Sequence, residues 1–368
     1  MAQHYPTPPS LDMLTLTERP TTNMKRISPA ELFQLSESLP ILDVRAPQEY
    51  LAGHLPGAQS LPLFDDDERA EIGTIYKNIH ADEAKLVGLE YAGKKMRQLV
   101  EQARKLAPDG KAVIHCWRGG QRSAAMGWLL DFADLDICIL EGGYKGYRRY
   151  IREQICHPKY QFLVLGGPTG SGKTDLLEAL NHLGEQVVDL EGLANHKGSA
   201  FGWIDEAPQP SSEQFENDLF EAMRHLDPAK PIWIENESRG IGTVFMPVEF
   251  AEKLRNSPLI QIGVSHQSRI ERLVRMYVHC KKELAASFEK IQRKLGGQHY
   301  QAALEALDRD DFQRAAEIAL VYYDRTYQHS LERSSPPTVV RQEFGDLTVN
   351  EIARQLRELA PTISVSVK

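Results

Sequence analysis

Residues 161–174 read QFLVLGGPTGSGKT, an apolar run that passes into a glycine-rich turn and a lysine. From Gly167 to Thr174 the order matches G-x-x-x-x-G-K-[ST] in full. FLVL precedes it as a buried strand, and DLLEALNHL follows it with helical spacing. Strand, loop, helix is the context a P-loop requires. Loop N–H groups and the helix N-terminus converge on a phosphate, Lys173 reaches a terminal phosphate, and Thr174 is placed to meet a metal. Gly167, Gly170, Ser171, Gly172, Lys173 and Thr174 are therefore read as diphosphate-binding. The physics admits any diphosphate, so ATP and GTP stay open.

Upstream, residues 113–123 read VIHCWRGGQRS and repeat the same local logic with a thiol. Val113 and Ile114 end an apolar strand, Cys116 follows, and AAMGWLLDF continues as a helix. A cysteine at a strand-to-helix turn sits where backbone N–H groups and the positive helix end favour thiolate. Gly119 and Gly120 let the loop curl, and Arg122 offers a planar cationic fork to an oxyanion. Cys116 and Arg122 are the expected catalytic pair.

Working outward, strands alternate with helical stretches on both sides, which defines an α/β class with mainly parallel sheets. ILDVR (41–45), KAVIHC and DICILEGG (136–143) serve the first domain, expected over 25–145 after a flexible leader at 1–24. A basic, tyrosine-rich connector is expected over 146–160. The P-loop domain, 161–368, adds QVVDLEG (186–192), PIWIENES (231–238) and LIQIGVS (259–265), then a mainly helical region to Pro336. Ligands are expected at the carboxyl ends of the strands.

Bulk properties exclude several classes. The chain has 368 residues, 42% hydrophobic and 26% charged, as in soluble globular proteins. No run approaches the roughly 18 apolar residues of a membrane span, and no secretory pattern opens the chain. Four cysteines without regular spacing argue against a disulfide framework or zinc cluster, so a reduced, cytoplasmic setting is expected. The net charge of −8 argues against a chain that is basic throughout. Yet residues 269–294 carry eight basic side chains against three acidic ones, among them Arg269, Arg272, Arg275, Lys281 and Lys282. Lys145, Arg148 and Arg149 form a smaller group among tyrosines. A solvated helix face and a nucleic-acid footprint are the two readings of such groups.

Four acids beside the P-loop, Asp189, Glu191, Glu235 and Glu237, are candidates for Mg2+ ligands or a general base. Arg239 just beyond them is a candidate anion clamp. The polar loop Asn195–Ser199 is either a connector or a substrate loop. Asp43 and Arg45 could pair with each other or orient the Cys116 loop, and His54 reads as a turn residue. Cys138 reads as core, and Cys280 is a weak second-thiol candidate. Tyr322, Tyr323 and Tyr327 around Asp324 form an aromatic stripe that is core or, alternatively, a stacking surface for bases.

DVRAPQEYLAGHLPGAQSLPL followed by HCWRGG resembles the rhodanese-like sulfurtransferase domain, whose loop cysteine carries a transferable persulfide. The C-x5-R spacing is one residue longer than the common rhodanese form and matches the length found in rhodanese-related cell-cycle phosphatases. It therefore favours a bulkier tetrahedral ligand. Over residues 25–365 the chain resembles the bacterial tRNA 2-selenouridine synthase family, which joins CWRGG to GPTGSGKT, DLEGLANH-K/R-GS-FG and IWIE-ES-R in this order. The resemblance implies replacement of sulfur by selenium in wobble 2-thiouridine of tRNA. Selenophosphate is the implied selenium donor, and geranyl diphosphate the source of an S-geranyl intermediate. It implies that Arg118, Gly119, Gly120 and Gln121 bind selenophosphate beside Cys116, and that the basic groups track tRNA phosphates. The rival readings are a P-loop phosphotransferase with a regulatory rhodanese-like domain, a C-x5-R phosphatase, and a non-enzymatic tRNA-binding module.

Overall fold

Two α/β units make up the computed structural model, which describes residues 24–35, 38–333, 339–345 and 347–363. The leader expected over 1–24 lies, except for Met24, outside the described residues. The first unit takes the described residues up to Tyr50 together with Gly57–Tyr147; the second takes Leu51–Pro56 and everything from Arg148 onward. Residues 51–56, inside the first domain by sequence, thus belong with the second: the His54 N–H donates to Gln214 Oε1 at 2.9 Å.

In the first unit the strands are β1 (Lys25–Ile27), β2 (Ile41–Asp43), β3 (Gln59–Ser60), β4 (Lys111–His115) and β5 (Asp136–Leu140). All pair in parallel in the order β1-β5-β4-β2-β3. Parallel strands are covered on both faces, which is why β4 reads as a continuous apolar run with only Lys111 exposed. The helices are α1 (Pro29–Leu35), α2 (Pro47–Ala52), α3 (Asp66–Asn78), α4 (Ala81–Leu106) and α5 (Gln121–Phe132). Leu99 and Ala103 of α4 share a core with Ile114, Ile137 and Leu130. The expected connector is largely helix, α6 (Gly143–Ile155). Helix α3, which the sequence reading did not identify, starts at an Asp65-x-x-Glu68 capping box.

The second unit has strands β6 (Phe162–Gly166), β7 (Gln186–Val188), β8 (Ile232–Glu235), β9 (Gly240–Ile241), β10 (Val244–Phe245), β11 (Leu259–Gly263) and β12 (Val339–Glu343). Five form a parallel sheet in the order β12-β11-β6-β8-β7, and β9–β10 is a separate hairpin. Its helices are α7 (Lys173–His182), α8 (Leu190–Leu193), α9 (Ser212–Arg224), α10 (Val248–Arg255), α11 (His266–Tyr277), α12 (Lys281–Leu295), α13 (Gly297–Asp308), α14 (Phe312–Arg333) and α15 (Val349–Leu359). Leu176, Leu177 and Leu180 of α7 share the sheet core with Ile352, Ala353 and Leu356 of α15. Helices α11–α14 build a second core around Phe201, Leu284, Phe288 and Ala319. Among the described residues no helix is long and apolar enough to cross a membrane.

Candidate functional site

The cysteine loop runs from the end of β4 to the start of α5, and its shape is set by backbone packing. Gly119 has φ +64°, and a Cβ there would meet the Leu140 carbonyl oxygen at 2.7 Å. The start of α6 then ties the loop down: the Tyr144 and Lys145 N–H groups donate to the carbonyls of Cys116 and Trp117, both at 2.9 Å. Beneath it, Arg45 and Asp43 are both fully buried, joined through Arg45 Nη2 to Asp43 Oδ2 at 2.6 Å. The guanidinium also stacks 3.9 Å from the Tyr144 ring centroid. Asp43 and Arg45 therefore pair and brace the loop at once. Burial pushes the Asp43 carboxyl up, but His115 and Arg45 outweigh it and hold it below the usual carboxylate range. Arg45→Ala would strand that carboxylate in the core and is expected to cost about 3–5 kcal/mol. Urea unfolding checks this; a loss under about 1 kcal/mol would show the pair to be dispensable.

Cys116 itself is buried, and burial pushes its thiol up. The Ser123 hydroxyl, the Arg118 and Ser123 N–H groups and the Arg122 charge act the other way and prevail, leaving the pKa below the ordinary thiol value. Ser123 is a residue that sequence reasoning missed, although it follows Arg122 directly. Arg122 is held by Glu49, with Nη2 donating to Oε1 at 3.1 Å; Glu49 was missed as well. Arg118, Gly120 and Gln121 are exposed and Gly119 is buried. Burial raises the thiols of Cys138, Cys156 and Cys280. At Cys280 the Asp205 carboxylate adds to it, giving about 11, so Cys280 is not a second activated thiol. The alkylation rate of Cys116 by iodoacetamide is accordingly expected to rise with pH around a midpoint below that of a free thiol. Ser123→Ala should move the midpoint upward, and identical midpoints would remove the hydroxyl from the account.

At the second anion cradle, Gly170 (φ +80°) and Gly172 (φ +81°) give the P-loop its left-handed turns. Lys173 Nζ donates to the Gly167 carbonyl at 3.3 Å across the loop. The loop is braced from α11: Arg269 Nε donates to the Thr169 carbonyl at 2.8 Å, and Arg272 Nη1 to the Gly170 carbonyl at 3.0 Å. Ser171 is buried beneath the loop.

The four acids divide into two pairs. Glu191 and Glu237 reach the cavity beside Lys173, and the Thr174 hydroxyl donates to Glu191 Oε2 at 3.1 Å. Burial and the neighbouring Glu191 push the Glu237 carboxyl up to about 8. Asp189 and Glu235 lie behind: Asp189 caps α8 through the Gly192 N–H at 2.7 Å, and buried Glu235 accepts the Leu190 N–H at 2.9 Å. These two are thus corrected from metal or base candidates to structural residues. Arg239 is corrected too. It is exposed, donates to the Met246 carbonyl at 3.3 Å and does not line the cavity.

From the P-loop a cavity of about 450 Å3 extends between α11, α12 and α14. Lys197, Gly198 and Ser199 line it, so the polar loop contributes to the site, whereas Asn195 donates to the Pro208 carbonyl at 3.0 Å. The wall beyond the P-loop end is mainly apolar, with Phe201, Leu284, Phe288 and Leu320. Tyr323 and Tyr327 of the aromatic stripe also face it. No periodicity in the sequence marked this wall, because its residues come from three separate segments: the loop that holds Phe201, α12 and α14.

Four expected phosphate-tracking cations are engaged by partners within the chain instead. Arg269 is buried and forks onto Asp324, with Nη1 to Oδ2 at 3.1 Å. Arg272 pairs with Asp175 at 3.2 Å. Arg148 donates to the Glu213 carbonyl and Asn217 Oδ1 at 2.8 and 2.9 Å and pairs with Glu216. Lys281 pairs with Asp310 at 2.7 Å. Lys145, Arg149, Arg275 and Lys282 are exposed.

A rhodanese-like unit with an activated loop cysteine, joined to a P-loop unit with an apolar cavity, defines a class of group-transfer enzyme with two anion cradles. The Rhodanese-like domain family matches residues 28–150, and the tRNA 2-selenouridine synthase AAA domain family matches residues 160–358. Relatives that carry the name tRNA 2-selenouridine synthase match most of the chain, among them three from different genera. The one from Bdellovibrio bacteriovorus is 35% identical over 84% of this chain and 94% of its own. That from Nitrosomonas europaea is 32% identical over 80% and 89%, and that from Sulfurovum sp. 34% over 82% and 91%. The chain belongs to the tRNA 2-selenouridine synthase family.

Proposed function

We propose that this chain replaces the sulfur of wobble 2-thiouridine in tRNA with selenium, by way of an S-geranyl intermediate. The observation that carries the reading is the cavity: a diphosphate cradle opens directly onto an apolar wall of Phe201, Leu284, Phe288 and Leu320. A prenyl diphosphate has that polarity, with an anionic head and an apolar tail.

In the first step the thiouridine sulfur attacks the carbon that carries the diphosphate. A C–S bond forms, the C–O bond breaks, diphosphate leaves with the electron pair, and the base loses its N3 proton. Lys173 and the loop N–H groups stabilise the departing charge. The oxygen set of Thr174 and Glu191 suits Mg2+; when bound, Mg2+ would neutralise part of that charge. In the second step selenium of selenophosphate attacks C2. The C–S bond then breaks with its electron pair on sulfur, and the geranyl thiolate takes a proton from solvent and leaves as geranyl thiol; N3 regains its proton when the Se–P bond is cleaved. Water cleaves the Se–P bond to release phosphate. Alkylation matters because it turns a poor sulfide leaving group into a thiol. Cys116, Arg122 and the amides of residues 118–121 would hold selenophosphate. Exposed Lys145, Arg149, Arg275 and Lys282 are the cations available to tRNA phosphates.

The test is mass spectrometry of nucleosides from 2-thiouridine tRNA incubated with the protein and each donor, singly and together. Selenouridine with both donors, and S-geranyl-2-thiouridine with geranyl diphosphate alone, are expected. Unchanged nucleosides would transfer the P-loop to the phosphotransferase reading.

A further inference from the structure

We propose that the face of α14 carrying Ala315, Ala316 and Ala319 sets the length of the prenyl chain that the cavity accepts. This rests on the reading of the cavity as a prenyl diphosphate site. The C-terminal half of α14 is fixed to the P-loop. Arg269 bridges Asp324 and the Thr169 carbonyl, and a Cβ on Gly166 would come within 3.2 Å of the Tyr327 hydroxyl. Tyr323 is fixed as well, its hydroxyl accepting the Ala200 N–H at 2.9 Å. The anionic end of the cavity therefore lies at a defined point on the helix.

From that point toward the start of α14, cavity-lining residues recur with helical spacing: Leu320, Ala319, Ala316, Ala315 and Phe312. The rise of an α-helix places Phe312 about 16 Å from Tyr323 along the axis. The lining side chains between Leu320 and Phe312 are single methyl groups. The open space beside this stretch exists because nothing larger projects from it, and Phe312 is the first bulky lining residue beyond the alanines. Ala315 and Ala319 are also buried in the helical core, where small size serves helix packing. Ala316 is half-buried and faces the cavity, so its side chain is the one that can grow into the tail's path without displacing a neighbouring helix.

The experiment measures kcat/KM of the full chain on 2-thiouridine tRNA with dimethylallyl, geranyl and farnesyl diphosphates, which differ by one isoprene unit each. A hydrophobic pocket discriminates by about tenfold or more for a single methylene. Ala316→Phe is therefore expected to lower the geranyl-to-dimethylallyl ratio by at least about tenfold. Phe312→Ala is expected to raise the farnesyl-to-geranyl ratio. Ratios within one variant are insensitive to partial loss of folded protein, and Ala316→Leu replaces the phenylalanine variant if that does not fold. If the wild-type protein transfers geranyl and the variants keep its ratios, the length-setting role is overturned while the site reading stands. If the wild-type protein transfers none of the three, the prenyl reading falls and takes the length-setting role with it.

Discussion

Cys116→Ser is expected to abolish selenium incorporation, by about three orders of magnitude or more, while prenyl transfer from geranyl diphosphate continues. The division follows from where the residues lie. Cys116 and the groups that lower its pKa, Ser123, Arg118 and Arg122, all belong to the rhodanese-like unit. Lys173, Thr174 and the apolar cavity belong wholly to the other. A serine retains the shape of the loop and its N–H donors, but its hydroxyl is not ionised at neutral pH, so the reactive thiolate that the loop presents is lost. The readout is the accumulated S-geranyl nucleoside: with both donors present, the variant should stop there. Loss of both activities in a folded variant would overturn the division of labour. Full selenation by the serine variant would reduce Cys116 to a packing residue.

Lys173→Ala is expected to lower prenyl transfer by about 10²–10³-fold, the usual cost of removing one preorganised charge stabiliser. Its ammonium donates to the Gly167 carbonyl at the P-loop and lines the cavity with Glu191 and Glu237, so it is a cation placed where diphosphate charge would develop. Supplying chemically prepared S-geranyl-2-thiouridine tRNA should bypass the defect and restore selenation. Unchanged prenyl transfer would remove the diphosphate role of the loop. Nucleotide hydrolysis by the wild-type protein that Lys173→Ala abolishes, with prenyl transfer absent from both, would favour the phosphotransferase reading.

The two cradles were legible because each is local. A strand, a glycine-bearing turn and a helix lie within about a dozen consecutive residues, and the chemistry of Lys173 or Cys116 depends on that turn. The role of Arg269 was not legible, since its partners are Thr169 and Asp324, the former 100 positions away. A basic helix face reads the same in sequence whether it meets solvent or braces another loop. Asp189 and Glu235 look like Glu191 and Glu237 for the same reason: strand-end position is local, but which carboxylate clears the loop depends on how α8 folds back over β8.

The sequence by itself determined the α/β class, the two anion-binding turns, their order, and through them the family. These follow from hydrophobic periodicity and from glycines at turns that few other residues can occupy. Only the tertiary structure decided which acids face the P-loop, which arginines are engaged inside the fold, and that the P-loop opens onto an apolar wall. Those outcomes depend on pairings between segments distant along the chain. Burial and electrostatic partnership arise only when the packed helices bring those segments together.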